Sequence, residues 1–365
     1  MVSVATVLRG YEKFEFRFIT RVFKHPGPGT RGSMQATAAP FPEWERKYGR
    51  VGRGAFSISM RAFCITVAIV HLALSITFVA LRFINTDDAK VPKHLLMPVT
   101  KHMGAWLNKS EAVKYPTPIG NRLKSECSLA TQQDSRSPEF YIQPLSLYVT
   151  TYDTRWAIIL FHFLSFAFQL GNSIWSENYN SAFKNGETHL SHFLEYSISA
   201  SIMITTMTVQ LGVHDIYTLI GVFCNSWACM IFGFFAQIFF HNNTPKINIL
   251  LVNLSPHWIA HIAGWVTLII AINATLSSLG TFLTCMDGIK LPDFVVPLIV
   301  TEMIFFSSFG FIQIWEFAKK PPTVGEHDHS NDEERVRWAF RTEFWYIVLS
   351  LCAKSVLGFV VYFAS

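Results

Sequence analysis

The stretch YIVLSLCAKSVLGFVVYF, residues 346–363, is apolar enough to cross a lipid bilayer but carries Lys354 near its middle. A transmembrane helix needs about 20 predominantly apolar residues. A charged ammonium group in the hydrocarbon region costs at least about 2.5–3.5 kcal/mol, so it is normally paired, neutralised or used chemically. The rest of the chain therefore has to supply a reason for this lysine.

The composition of the whole chain is that of a membrane protein. Half of its 365 residues are hydrophobic, only 15% are charged, and the mean hydropathy is +0.29. Apolar windows of sufficient length predict an all-α membrane protein with seven transmembrane helices. These predicted helices cover about residues 62–82, 155–175, 189–211, 216–240, 257–280, 292–315 and 344–364.

Basic residues predict how the helices are oriented in the membrane. The first 58 residues contain ten Lys and Arg against four acidic residues. With the N-terminus in the cytoplasm, the short inner loops carry six basic residues and the short outer loops only Lys290. Seven helices that begin inside end outside, so the C-terminus is expected to be extracellular. The expected location is the plasma membrane.

The chain is predicted to consist of a cytoplasmic basic tail, residues 1–58, and a seven-helix domain, residues 59–365. Helical spacing of apolar and basic residues in the tail favours an amphipathic helix on the inner leaflet, with a plain flexible tail as the alternative. Residues 25–43 are rich in Gly, Pro and Ala and are typical of a linker. The outer loop 83–154 is too long for an idle connection, and the alternation in LSLYVTT, residues 145–151, predicts a small β-ribbon there.

The cysteines do not indicate a metal site. Cys127 and Cys285 fall in predicted outer loops, where a disulfide between them is expected, and the other four cysteines lie within predicted helices. Neither CxxC nor HExxH spacing occurs in the sequence. The sequence also has no catalytic constellation and no nucleic-acid-binding motif, so neither an enzyme nor a nucleic-acid partner is expected.

Ionisable residues inside the predicted helices are few, and each requires an explanation. Glu195 in the third helix and Lys354 in the seventh suggest each other as partners. Both helices run in the same direction, and a helical lysine side chain leans toward the N-terminus, so Lys354 can reach Glu195. Ser350 lies one turn before the lysine and can hydrogen-bond its nitrogen. A purely structural buried ion pair explains these two charges equally well. The other ionisable residues within the helices are His71, His162, His257, His261 and Glu302.

Two segments that carry these residues resemble the heliorhodopsins. SLCAKS, residues 350–355, is similar to the S-x-x-x-K signature whose lysine binds retinal as a Schiff base. HFLEYSISASIM, residues 192–203, resembles the W-x-E-Y-S segment whose glutamate is the counterion. The inverted topology is also that of the family, and the resemblance extends from about residue 60 to the C-terminus. This chain departs from the pattern at His192-Phe193, where the family typically has Arg-Trp.

The resemblance implies a covalently bound all-trans retinal on Lys354, with Glu195 as counterion and Ser350 as a neighbour of the protonated Schiff base. His71 and His162 fall where the family places histidines near a cavity on the cytoplasmic side, and they are candidates to accept the proton. For either histidine, a satisfied core residue is the alternative. The implied partners are membrane lipid, a second copy in a homodimer, and a cytoplasmic signalling protein that the sequence does not identify.

The expected function is light sensing, in which retinal isomerisation drives a conformational signal. The alternative is a light-gated proton channel that uses Glu195 and Glu302, where Glu302 can also be a protonated side chain bonded to a neighbouring helix. Pumping is not expected, because the third helix offers no other carboxylate for a relay. A further alternative is a retinal-free seven-helix receptor or transporter with a structural Glu195–Lys354 pair.

Overall fold

The computed structural model consists mainly of seven long helices. It describes residues 50–51, 58–84, 96–108, 140–176, 179, 182–183, 189, 191–242, 245–249, 252–285, 293–318 and 329–363. Numbered in chain order, the helices are α1 Met60–Ile84, α2 Thr154–Ile174, α3 Ser191–Gln210, α4 Ile216–His241, α5 Pro256–Cys285, α6 Val295–Ala318 and α7 His329–Phe363. The predicted fold class is confirmed.

Six of the seven described helices are long and apolar enough to span a membrane, and α3 is the exception. This helix is rich in Ser and Thr, and most of its residues are buried by its neighbours. Its hydroxyl groups donate to carbonyl oxygens one turn back, as Ser201 Oγ does to Ser197 O at 2.6 Å. Because α3 is enclosed by other helices, it needs no apolar outer face.

The remaining helices present large apolar side chains on their outer faces. Ile69, Ile269 and Ile304 are each at least 60% exposed. Their inner faces pack into a core in which Phe78 and Leu357 are fully buried. An apolar surface of this extent suits lipid rather than water, and the protein is an integral multi-pass membrane protein.

The helix limits predicted from hydropathy agree closely with the structure, except at the start of α7. That helix begins at His329 instead of residue 344. Its first turns, HSNDEERVRW, are helical but too polar for a hydropathy window to include.

The loop between α1 and α2 contains the predicted β-ribbon. Strands β3, Leu96–Asn108, and β4, Phe140–Asp153, pair antiparallel with an irregularity between Val99 and Thr100. Residues 145–151 lie within β4, so the predicted ribbon is confirmed. Two shorter hairpins pair β1, Arg50–Val51, with β2, Ile58–Ser59, and β5, Ile247–Ile249, with β6, Val252–Leu254.

The base of the ribbon packs where α3 ends and α4 begins. Val99 is buried against Val209 and Leu219, and the N–H of Thr100 donates to the carbonyl of His214 at 2.7 Å. We call this the ribbon end of the bundle. The end at which α2, α4 and α6 finish and α3, α5 and α7 begin is called the opposite end.

Several predictions from the sequence concern residues outside those described. They include the amphipathic helix and the linker, which lie within residues 1–49. The proposed domain boundary at residue 58 falls within the β1–β2 hairpin. Cys285 is the last residue of α5, but Cys127 is not described, so their disulfide stays a prediction. The other four cysteines, Cys64, Cys224, Cys229 and Cys352, are free thiols.

Candidate functional site

Lys354 of α7 lies at the centre of a buried polar cluster. Its side chain is almost completely buried, and Nζ lies 2.6 Å from Glu195 Oε1 of α3. Nζ also donates to Ser350 Oγ at 2.8 Å, one turn earlier on α7, and to Ser165 Oγ of α2 at 2.5 Å. The structure therefore brings together the three residues expected from the sequence, Lys354, Glu195 and Ser350, and adds Ser165.

Ser165 and Gln169 of α2 complete the surroundings of the Glu195 carboxylate. Ser165 Oγ donates to Oε1 at 2.5 Å, so this hydroxyl accepts from Lys354 and donates to Glu195. Gln169 Nε2 lies 3.5 Å from Oε2, at the limit of a hydrogen bond. Removing one member of a buried ion pair leaves an uncompensated charge, which typically costs about 3–5 kcal/mol.

The sequence did not reveal the two α2 residues, because single polar residues in an apolar helix have no motif. A signal was present nonetheless. The buried polar residues of α2 from His162 onward recur at helical spacing, and two of them, Ser165 and Gln169, contact Glu195 of α3. They are His162, Ser165, Gln169, Asn172 and Ser173.

Tyr196 forms an aromatic wall beside the lysine. The centroid of its ring is 5.1 Å from Nζ, within the range of a cation–π contact. Its hydroxyl donates to the backbone carbonyl of Tyr346 on α7 at 2.9 Å. The ring is therefore held between α3 and α7, next to the amine.

Two adjoining cavities extend from Lys354 into the bundle. The first is lined by Lys354, Ser350 and mostly apolar side chains of α3, α4 and α6. The second shares Tyr196, Met230, Phe306 and Phe309 with the first. Glycines of three helices line its wall, and a Cβ atom on any of them would come within 3.3 Å of a neighbouring atom, so they allow close packing there; they are Gly233, Gly264 and Gly310.

These features fit retinal. A buried primary amine lines a cavity whose walls are largely aromatic and aliphatic, as a polyene aldehyde would require. A carboxylate contacts the same nitrogen and can stabilise a positive charge there. Among the described residues, no group of three His, Cys, Asp or Glu could hold a metal ion.

His71 of α1 and His162 of α2 face each other. Their Nδ1 atoms are 3.0 Å apart, and the ring of Phe78 stacks on His162. The Nε2 atom of His162 is buried and has no hydrogen-bond partner among the described residues. A Cβ atom placed on Gly358 would lie 3.3 Å from that nitrogen, so α7 passes close to it.

The histidine pair lies on the ribbon side of Lys354. His162 precedes Ser165 by one turn of α2, and Gly358 follows Lys354 by one turn of α7; both steps lead toward the ribbon end. In the predicted orientation the ribbon is outside, so the pair lies on the outer side of Lys354 rather than on the cytoplasmic side.

Glu302 of α6 is fully buried and separate from the lysine cluster. Neither of its carboxylate oxygens has a hydrogen-bond partner within the part of the chain that the structure describes. The predicted hydrogen bond to a neighbouring helix is therefore not seen. An unpartnered buried carboxylate is costly when charged, which favours the protonated form.

A second buried pair of ionisable residues lies nearer the opposite end. His192 Nδ1 of α3 is 3.0 Å from Glu343 Oε2 of α7, and Tyr179 donates to Glu343 Oε1 at 2.8 Å. Burial, followed by the charge of Glu343, raises the pKa of Tyr179 well above its usual value, so this phenol keeps its proton. Burial lowers the pKa of nearby His189 to about 4, so its ring is neutral at pH 7. Sequence reasoning missed Glu343, because the predicted seventh span began one residue after it.

A comparison with known protein families identifies the family to which the chain is similar. A family model described as Heliorhodopsin matches residues 123–365, about two thirds of the chain. The matched range contains α2 to α7 and the contacts of Lys354 described above, whereas α1 with His71 precedes it. No curated protein matches the chain.

Proposed function

The chain belongs to the heliorhodopsin family, a family of light-sensing membrane rhodopsins rather than classical enzymes, and on this premise we propose how its residues serve that function. Lys354 is the attachment point of an all-trans retinal, bound as a protonated Schiff base, and Glu195 is its counterion. Light changes the conformation of the helical bundle, and this change is the signal. The observation that carries the proposal is the contact between Lys354 Nζ and Glu195 at the mouth of an apolar cavity.

Glu195 stabilises the positive charge on the lysine nitrogen. At a separation of 2.6 Å in a buried site, the carboxylate offsets part of the cost of burying a positive charge on this nitrogen. Ser165 and Ser350 approach the same nitrogen from α2 and α7 and fix its position. Side chains of three helices thus contact one charged group, so a change in the position or charge of the nitrogen alters contacts with all three helices.

The two cavities are the proposed chromophore pocket. Bound retinal supplies absorption of visible light and a double bond that isomerises. Tyr196, Phe306 and Phe309 line both cavities and would hold the polyene on its path through the bundle. The glycine-lined second cavity would accept the bulky ring at the far end.

His162, with His71, is the proposed acceptor of the Schiff-base proton. His162 lies one turn from Ser165. Within the part of the chain that the structure describes, its Nε2 atom has no hydrogen-bond partner and can accept a proton. Protonation there would reorganise the Nδ1 contact with His71 and so move α1 relative to α2. Substituting His162 with Phe should prolong the deprotonated state measured by flash photolysis, whereas an unchanged decay would exclude this role.

A light-gated proton channel is the second candidate function, because Glu302 is a buried carboxylate with no partner among the described residues. A channel needs such intermediate proton-binding groups along its path. Sensing is favoured over conduction because Glu302 belongs to none of the hydrogen bonds that link the lysine cluster to its neighbours.

Voltage-clamp recording in light separates the two candidates. A pure sensor gives no photocurrent in cells that contain the pigment. A current that is present in the unsubstituted protein and vanishes in Glu302→Gln, with the visible band retained, would establish the channel. Cys352→Ser is the matched control, because Cys352 is an exposed residue of α7 that belongs neither to the Lys354 cluster nor to the proposed path at Glu302. This substitution should leave the recording unchanged.

The proposed partners follow from the orientation. If the N-terminus is cytoplasmic, as predicted, the opposite end of the bundle faces the cytoplasm, and a signalling partner would bind there. A homodimer within the plasma membrane also stays a proposal based on the family. Both are open to test by crosslinking in intact cells that express the pigment.

A further inference from the structure

Trp265 of α5 connects the chromophore pocket to a chain of buried polar side chains. Its indole lines the second cavity and lies directly against Gly310 of α6, where a Cβ atom would come within 2.4 Å of Trp265 Cζ2. The indole therefore cannot stay in place if α5 and α6 shift relative to each other. This makes the ring sensitive to changes in the pocket.

The first links of the chain fix the state of His261. Trp265 Nε1 donates to His261 Nε2 at 2.9 Å, so this ring nitrogen carries no proton. The proton must then be on Nδ1, which donates to Gln313 Oε1 of α6 at 2.8 Å. Both nitrogens of the neutral imidazole therefore form hydrogen bonds, Nε2 with Trp265 of α5 and Nδ1 with Gln313 of α6.

The next links lead to the opposite end of the bundle. Gln313 Nε2 donates to Gln237 Oε1 of α4 at 3.4 Å and to the carbonyl of Gly233 at 2.9 Å. Gln237 Nε2 donates to Glu316 Oε1 at 2.6 Å. Glu316 lies two residues before the end of α6, so the chain runs from the pocket wall to the helix terminus.

All donors in this chain point the same way, from the indole toward the carboxylate. Hydrogen bonds in such a chain polarise one another. A negative charge on the Glu316 carboxylate at the end of the chain strengthens the preceding hydrogen bonds. His261, Gln313, Gln237 and Glu316 are all buried, and leaving one buried polar group unsatisfied costs about 1–3 kcal/mol. The side chains are therefore expected to move as a unit rather than singly.

The chain is unsuited to carrying protons. Its two glutamine amides donate through NH₂ and accept through C=O, and neither group exchanges roles as an imidazole or a carboxylate does. What can pass along it is a change in hydrogen-bond geometry. The chain therefore differs from the proton path proposed for the channel, which would use Glu302. Glu302 lies on the same helix, α6, but is not part of the chain.

We propose that the chain Trp265–His261–Gln313–Gln237–Glu316 is a mechanical relay between the chromophore pocket and the opposite end of α4 and α6. His261 is its positioning residue, because it holds the indole against Gly310 and joins α5 to α6. Displacement of Trp265 changes the hydrogen bond to the buried Glu316 near the opposite end of the bundle, where a signalling partner would bind. The role in light signalling rests on the proposed function, whereas the coupling between the two ends does not.

Indole NMR on the full chain in lipid nanodiscs, without retinal, tests the coupling. The ¹⁵N-indole resonance of Trp265 is assigned by its loss in Trp265→Phe. Glu316→Gln should shift this resonance although four hydrogen bonds separate the two groups, and the shift should disappear in the background of His261→Phe. Glu302→Gln is the matched control on α6 and should leave the resonance in place. An unchanged resonance in Glu316→Gln would overturn the relay.

Light-minus-dark infrared spectroscopy of the retinal pigment tests the signalling role. The unsubstituted pigment should show a carboxylate band that is lost in Glu316→Gln. The same band should be lost in Trp265→Phe, or in His261→Phe if the first variant does not fold, and it should persist in Glu302→Gln. A Glu316 band that survives in both Trp265→Phe and His261→Phe contradicts the relay. Failure to form any visible pigment contradicts the proposed function instead, and the indole resonance then still decides the coupling.

Discussion

At the scale of single residues, the site is organised around one buried nitrogen. Lys354 Nζ contacts a carboxylate and two hydroxyl groups from three helices. The cost of burying the ammonium group is offset by the opposite charge and these hydrogen bonds. The anomaly of a lysine within YIVLSLCAKSVLGFVVYF is therefore resolved by the geometry around it.

Replacing Glu195 with Gln removes the negative charge while keeping the shape of the side chain. The visible absorption maximum of the retinal pigment should shift, and the protonated form should persist over a narrower range toward high pH, because nothing then balances the charge on nitrogen. A spectrophotometric titration measures both. Glu302→Gln is the control; if it changed the titration and Glu195→Gln did not, the counterion would lie elsewhere.

Ser165 is expected to have a weaker effect than Glu195. Ser165→Ala removes one hydrogen bond to Nζ and one to the carboxylate but leaves the ion pair intact. The absorption maximum should shift by less than in Glu195→Gln, and the pigment should still form. Equal shifts in the two variants would show that the hydroxyl, not the charge, controls the nitrogen.

The sequence was informative about these residues to different degrees. Lys354 and Glu195 could be found because a charge inside an apolar helix is conspicuous, and Ser350 because it lies one turn from the lysine. Ser165 could not, because serine satisfies its own hydroxyl in any helix and only packing decides which serine faces a charge. Glu343 was not identified from the sequence, because the polar residues in the first part of α7 lower the hydropathy there and the predicted span began after this residue.

At the scale of elements, α3 and the glycine-lined pocket depend on close helix packing. The polar α3 is stable in the membrane only because its neighbours enclose it. Its helical nature was predictable from length, but its central position was not, because hydropathy does not tell which helix is surrounded. The ribbon between α1 and α2 was predictable from the alternation of apolar and polar residues. Its packing against Val209 and Leu219 was not, because it depends on the three-dimensional arrangement of the helices.

Gly310→Ala tests the contact between α5 and α6. The added methyl group would collide with Trp265, so the indole must move or the helices must separate, at a cost of about 1–3 kcal/mol. The thermal midpoint should fall and the absorption maximum should shift. Gly221→Ala on α4 is the matched control: nothing lies within 4 Å of a Cβ atom there, and stability should rise by about 0.5–1 kcal/mol. Equal behaviour of the two variants would contradict the packing described.

At the scale of the whole molecule, the orientation in the membrane decides how the other features are interpreted. Basic residues predict a cytoplasmic N-terminus, which places the histidine pair on the outer side of Lys354 and the end of the Glu316 chain on the cytoplasmic side. The helical bundle itself is compatible with either orientation, because packing inside the molecule contains no reference to the two sides of a membrane.

Epitope accessibility tests this orientation. A tag after Ser365 should be recognised by antibody on intact cells, and a tag before Met1 only after permeabilisation. The reverse pattern would place the ribbon and the histidine pair on the cytoplasmic side. It would also move the end of the polar chain at Glu316 to the outside, where no cytoplasmic partner could reach it.

The absorption spectrum of the purified protein after addition of all-trans retinal tests the central claim most directly. The unsubstituted chain should develop a visible band that persists after removal of free retinal, and Lys354→Ala should develop none. Because Lys354→Ala leaves Glu195 unpaired, folding of the variant must be verified by circular dichroism, and Lys354→Arg, which keeps the charge, serves as a second variant. A visible band in either folded variant, or the absence of a band in the unsubstituted protein, would contradict the account and favour a retinal-free receptor or transporter.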